Sequence, residues 1–183
     1  MYIEPFRAAV LASIKTQMGS AVKDCDTHQG RFNLDELKRL SVKAPAMRVA
    51  ILGVPKISST NAAKRDLVMP MACFVITRDA KQLPRDVAML NLVETLLIHI
   101  DSNTWGLDYA KKPLELRGEN LFSGAVAKGG IDLWAVTWKQ TLRIPADGIA
   151  PNDPDLTAIG LAYYLQDPVD DDVADASDEL TLA

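Results

Sequence analysis

Residues 25–28, Cys-Asp-Thr-His, bring a thiol, a carboxylate and an imidazole closer together than any other stretch of this chain. A thiol beside an imidazole can become a nucleophile, and a carboxylate can orient the base that activates it. Residues 23–30 are polar enough to read as a loop, and nothing nearby supplies the donors that would hold an oxyanion. A solvated loop is therefore the simpler reading of Cys25 and His28. Cys25 and Cys73 are the only cysteines, and their wide separation matches neither a metal knuckle nor a small disulfide framework, so both read as idle or buried thiols. The other histidine, His99, falls on a helical stripe where a hydrogen-bonded structural role is favoured over metal ligation.

The remaining candidates thin out in the same way. Gly118, Gly124 and the pair Gly129-Gly130 fit neither glycine-rich phosphate-binding pattern. Ser123-Gly124 lacks the preceding glycine of a nucleophile elbow, and Glu94, Asp101, Asp108, Glu115 and Glu119 show no spacing that isolates an acid/base pair. The expectation is a protein with no catalytic residue, no metal and no cofactor, acting through assembly with other proteins. Lys56, Lys64 and Arg65 lie in a polar stretch, 56–66, where they either solubilise a loop or meet an acidic partner.

Bulk properties agree with one folded core. The chain has 183 residues, 48% hydrophobic and 24% charged, the profile of a globular protein. Its formal charge of −4 is uneven, because Asp167, Asp170, Asp171, Asp172, Asp175, Asp178 and Glu179 place seven negative charges within residues 166–183 and leave about +3 on the rest. So small a positive charge does not supply the phosphate contacts of a nucleic-acid binder, and no sequence-specific nucleic acid is expected. The start of the chain has no basic segment leading into an apolar one, and the most apolar stretch, 87–100, is too short and too interrupted to cross a bilayer, so no membrane partner is expected and an intracellular location is.

The elements that must position these residues follow from periodicity. Phe6, Val10, Ile14 and Met18 recur every four residues, with Leu11 widening the stripe, which predicts a first helix begun by Pro5 and ended at Gly19-Ser20. A short helix capped by Asn33 or Asp35 follows, running through Leu37 and Leu40. Residues 46–54 read as a strand stopped by Pro55, and 67–78 as a second, reliable from Met71 to Thr77, whose Pro70 demands an edge or bulge. Between them 56–66 reads as the exposed loop of a hairpin. The helix at about 86–102 is apolar round most of its circumference, with Asn91, Thr95, His99 and Ser102 on one narrow stripe, and is expected to be the central buried helix. Residues 107–130 suggest a short strand and irregular connections.

Residues 131–144 are the clearest strand, with Trp134, Val136, Trp138, Leu142 and Ile144 on one face. The other face runs Ile131, Leu133, Ala135 and then Thr137, Lys139, Thr141, Arg143, so the first half reads as buried on both sides and the second as solvated on one. Its length leaves backbone available for another chain, and Lys139, Thr141 and Arg143 are the candidate subunit interface. Residues 156–165 fit a helix or a strand equally, and the acidic segment beyond Pro168 lacks the apolar area to offset its ordering entropy. The expected architecture is α+β, a mixed and mainly antiparallel sheet against two main helices in one domain of residues 1–165, with 166–183 a disordered acidic tail.

The stretch 129–140, Gly-Gly-Ile-Asp-Leu-Trp-Ala-Val-Thr-Trp-Lys-Gln, placed after a helix–strand–strand–helix order, resembles the tail-terminator or tail-completion proteins of Mu-like bacteriophages and prophages. The first helix and the strands at 48–54 and 74–77 also fit that pattern, so the resemblance spans roughly residues 1–145. It implies a mixed α/β subunit of a ring, commonly a hexamer, that caps the tube of a contractile tail, ends its polymerisation and offers a surface to the head–tail connector, with no cofactor. The implied partners are further copies of the chain, the tube protein, the sheath and the connector. The implied location is the virion tail or neck, and the host cytoplasm during assembly. Within that reading Lys56, Lys64 and Arg65 become a candidate loop for contact with the tube or its lumen, and the acidic tail keeps free subunits soluble. A different neck or connector component of the same particle is the alternative, and a small hydrolase or ligand-binding module using Cys25 and His28 is a third.

Overall fold

The computed structural model describes residues 1–30, 39–61, 63–79, 84–121, 130–146, 158–163 and 176–181. It divides into two compact units, Met1–Gly148 and Ile149–Ala183.

The first unit opens with α1 (Ile3–Met18), which buries Phe6, Val10, Ile14 and Met18, the four residues of the sequence stripe. It starts two residues before Pro5, whose missing N–H costs nothing within a first turn. β1 (Asp24–Thr27) then pairs in parallel with β2 (Ala46–Ile51). Residues 24–27 were expected to be loop; short and half-polar, they carry no strand signal of their own and are held extended by the edge of β2. The proposed cap residues Asn33 and Asp35 lie outside the described residues, while 39–41 are helical and Leu40 packs beneath the sheet.

β3 (Lys56–Asn61) and β4 (Lys64–Arg78) form a hairpin in place of the expected loop, with Lys56 opposite Val68 and Asn61 opposite Lys64. β2 pairs with β4 from Met71 to Ile76 and β3 from Lys64 to Val68, so the two strands share one margin of β4 end to end. Pro70 falls at the junction. Its carbonyl accepts from Leu52 N–H at 2.8 Å. In a strand the amide of a residue points to the same side as its carbonyl, so the N–H that Pro70 lacks is missing from that junction and not from the ladder on the other margin. This is how a proline sits inside a central strand.

α2 (Arg85–Ile100) follows, then β5 (Leu114–Asn120) and β6 (Ile131–Pro145). The sheet order is β1-β2-β4-β6-β5, with β3 beside β4, and every pairing except β1–β2 is antiparallel. The architecture is α+β: a mixed, mainly antiparallel six-stranded sheet packed against two main helices. One face of the sheet joins α1 and α2 in the main core around Met47, Met69, Met71, Val75, Leu96 and Trp138. The opposite face buries a smaller cluster of Ala46, Ala50, Ala72, Phe74, Ile76, Ile131, Leu133 and Ala135. That cluster covers only the first half of β6, as the alternation in its sequence implied. Beyond it Lys139 and Arg143 are half-exposed.

The second unit contains β7 (Ala158–Tyr163) paired antiparallel with β8 (Ala176–Thr181). The ambiguous segment is thus a strand, and part of the segment expected to be disordered forms its partner. The remaining acidic residues Asp167, Asp170, Asp171, Asp172 and Asp175 lie outside the described residues.

Candidate assembly surface

The expected opening for a neighbour was the margin of β6, and here the structure differs from the expectation. β4 matches β6 residue for residue from Arg78–Ile131 to Lys64–Pro145. The other margin is taken by β5 from Asn120–Trp134 to Leu114–Lys139. Beyond β5, Lys111 N–H donates to Thr141 O (2.9 Å), Arg143 N–H donates to Tyr109 O (2.8 Å), and Ala110 bridges Leu142. β6 is therefore an interior strand. Its length is absorbed by an equally long β4, which the sequence hides because Pro70 seems to cut that strand short.

The segment 105–111 is tied to β6 by one buried amide. Gln140 is fully buried; its Oε1 accepts from the indole N–H of both Trp105 and Trp138 at 3.1 Å, and its Nε2 donates to Lys111 O. Both polar atoms of the amide are paired, which is the condition for a buried amide to be tolerated.

The candidate interface residues are engaged within the chain. Lys139 Nζ reaches Glu115 Oε1 at 2.7 Å. Glu115 has a positive φ of 53° at the bulge where the β5–β6 register shifts, a conformation that re-aims its side chain. Thr141 is buried. Arg143 grips Asp66 with Nε at 2.8 Å and Nη2 at 3.0 Å, and Lys111 Nζ adds 2.7 Å to the same carboxylate. The Arg143 hydrogen bonds, followed by those of Lys111, hold the Asp66 carboxyl well below the usual carboxylate range despite its burial. Lys56, Lys64 and Arg65 sit on the strands of the β3–β4 hairpin, with Arg65 Nη1 donating to Ser59 Oγ at 2.9 Å.

Three strands of the sheet have a margin with no further described strand. β1 and β5 end the strand order, and β3 pairs only with β4. Leu121 N–H donates to Leu133 O, so alternation turns the amides of Gly118 and Asn120 away from β6 toward the outer margin. α2 packs over β5 through Val93 and Leu97, which lie 3.4 and 3.7 Å from the point where a Cβ on Gly118 would stand. Close packing there explains a glycine in mid-strand. The outward side of α2 carries exposed apolar residues, with Leu90 54% and Ile98 70% exposed and Val87 beside them, interspersed with exposed Asp86, Asn91 and Glu94. The helix is thus buried on one face only, not all round as its composition implied. At the β3 margin Ile57 is 63% exposed, close in the sheet to a groove of 420 Å³ lined by Met1, Tyr2, Ile3, Ile51, Leu67 and Ile144.

The other candidate chemistry is dispersed. β1 directs Cys25 into the main core and leaves Asp26 exposed, and burial pushes the Cys25 thiol up to about 11. Desolvation raises Cys73 further still. His28 Nδ1 accepts from Gly30 N–H at 2.9 Å. His99 Nε2 lies 2.9 Å from Ser13 Oγ, linking the two helices, and burial lowers its pKa. A polar cleft of 540 Å³ beside Asp79, Asp86, Asn120, Asp132 and Trp134 went unseen in the sequence. Arg85, the one cation among its described lining residues, is held between Asp79 (3.3 Å) and Asp132 (3.4 Å), which clamps the start of α2 to the ends of β4 and β6. Among the described residues no three His, Cys, Asp or Glu side chains gather as a metal site, and no helix is long and apolar enough to cross a membrane. No protein-family model matches the chain, and no curated protein does.

Proposed function

We propose that this protein is a structural subunit that joins copies of itself into a ring, and that the ring closes the end of a phage tail tube in the manner of a tail terminator. The observation that carries the reading is that two of the three sheet margins without a further described strand, those of β3 and β5, are each flanked by exposed large apolar side chains, the third being the short β1. An edge of that kind is a template for another chain unless it is blunted or covered. A subunit with two different joining margins builds rings when the rotation between neighbours closes. Along the chain α1, β1, β2, the β3–β4 hairpin, α2, β5 and β6 follow one another, which keeps residues 129–140 after a second helix, as in the tail-terminator resemblance.

Under this reading one face of the ring matches the last layer of tube protein, and the opposite face lacks the tube's own addition surface, so growth stops there. The turn end of the β3–β4 hairpin, with Lys64 and Arg65, extends past the end of β2 and is the proposed contact with the tube. Connector and sheath meet the exposed faces of the ring, and the protein resides in the virion tail or neck after assembly in the host cytoplasm. No cofactor or catalytic residue takes part.

Light-scattering mass and negative-stain images of the purified protein, alone and with tube protein, test the proposal. A closed ring, or a cap on tube ends with tubes of bounded length, is expected. A protein that remains a single chain and leaves tube growth unchanged would refute it.

A further inference from the structure

Resting on the ring reading, the geometry points to the joint itself: we infer that β5 of one copy pairs antiparallel with β3 of the next, so that the sheet continues from subunit to subunit.

Strand direction comes first. β3 is antiparallel to β4, β4 to β6 and β6 to β5, so β3 and β5 run in opposite directions. A ring rotation about an axis along the strands carries β3 to the next copy without reversing it, and β5 then meets it antiparallel. β5 has seven residues and β3 six, enough for a shared ladder of about 20 Å. Gly118 supplies outward amides to such a ladder without a side chain in the way.

Register then sorts the side chains. Glu119 stands opposite Ala135, while Lys56 stands opposite Val68, which stands opposite Thr141. Ala135 and Thr141 are an even number of residues apart, so Glu119 and Lys56 project from the same face of the sheet. Lys64 belongs to that face as well. Antiparallel pairing over the full ladder therefore brings Glu119 of one copy, which its own Arg117 already meets at 3.3 Å, toward Lys56 of the next, while Lys64 lies at the far, turn end of the hairpin. Ile57 stands opposite Leu67 on the helix-bearing face, where Leu90 and Ile98 of α2 flank the β5 margin. Apolar surface meets apolar surface on one side, and opposite charges meet on the other. A two-fold contact of β5 with itself over its full length would instead oppose Glu119 to Glu115 of the other copy, leave β3 uncovered and stop at two chains.

The test uses the full-length chain with one margin spoiled at a time, at exposed positions. Glu119→Lys with Ile98→Lys spoils the β5 margin; Ile57→Lys spoils the β3 margin. Circular dichroism melts within a few degrees of the parent establish that each variant folds. If the joint is as inferred, each variant alone runs as a single chain of 20.0 kDa. The two mixed in equal amounts form a species of twice that mass, because each contributes its intact margin, while like charges keep the spoiled margins apart. A dimer of the Ile57→Lys variant alone would overturn the inference in favour of β5 self-pairing. Rings that survive both variants would overturn the joint while leaving the ring reading intact; a parent protein that never oligomerises would instead remove the reading beneath it.

Discussion

Gln140→Leu replaces the buried amide that fastens residues 105–111 to β6 with an apolar side chain of similar size. Two indole N–H groups, Trp105 and Trp138, lose their common acceptor, and the Lys111 carbonyl loses a donor. Each of the two unsatisfied buried donors costs about 1–3 kcal/mol, and the added apolar contact of leucine returns roughly 1 kcal/mol, so the net destabilisation is about 1–5 kcal/mol. For a chain of this size each kcal/mol lowers Tm by about 3 °C, which makes the expected drop roughly 3–15 °C. Urea titrations followed by far-ultraviolet circular dichroism measure it without depending on the indoles. Trp105→Phe removes one of the two stranded donors, so the double variant should recover part of the loss, with a coupling of about 1 kcal/mol. A cost below about 0.5 kcal/mol, or strict additivity in the cycle, would refute the claim that this amide helps fasten residues 105–111 to β6.

Asp66 supplies a pH dependence with a definite sign. Its folded pKa is depressed by Arg143 and Lys111, so the stability it contributes is fully present above the unfolded carboxylate value of about 4 and is lost as pH falls toward the folded one. Tm should decline between about pH 5 and pH 2, and Asp66→Asn should lose about 1–2 kcal/mol at pH 7, because its partners are partly solvated, and flatten the decline; an unchanged slope would remove Asp66 as a cause. Asp24, held low by the hydrogen bond from Arg48, accounts for a residual slope in that variant. With the Cys25 thiol near 11, its thiolate fraction at pH 7.5 is below about 0.1%, so a thiol-specific reagent should react slowly with the native protein and count two thiols only after unfolding. A burst of one equivalent within seconds would revive Cys25 as a nucleophile.

Periodicity made α1, β2, α2 and β6 legible, because an apolar face repeats along one segment at a spacing that only one backbone geometry brings into line. The alternation in β6 also foretold where the second face of the sheet would stop being buried. β1 and β3 were not legible: residues 24–27 and 56–61 are half-polar, and what makes them strands is the hydrogen-bonding margin of β2 or β4 beside them, which belongs to another part of the chain.

The assembly surface divides the same way. That β6 is long and two-faced is written in residues 131–144; that it is interior, and that among the described residues β1, β3 and β5 are the outer strands, depends on which strands lie beside it. Pro70 is the sharpest instance. By composition it breaks a strand, whereas in the fold its missing amide falls between the ends of β2 and β3, leaving β4 whole. Local sequence sets which side chains share a face, but only the tertiary pairing decides which backbone groups remain without a partner.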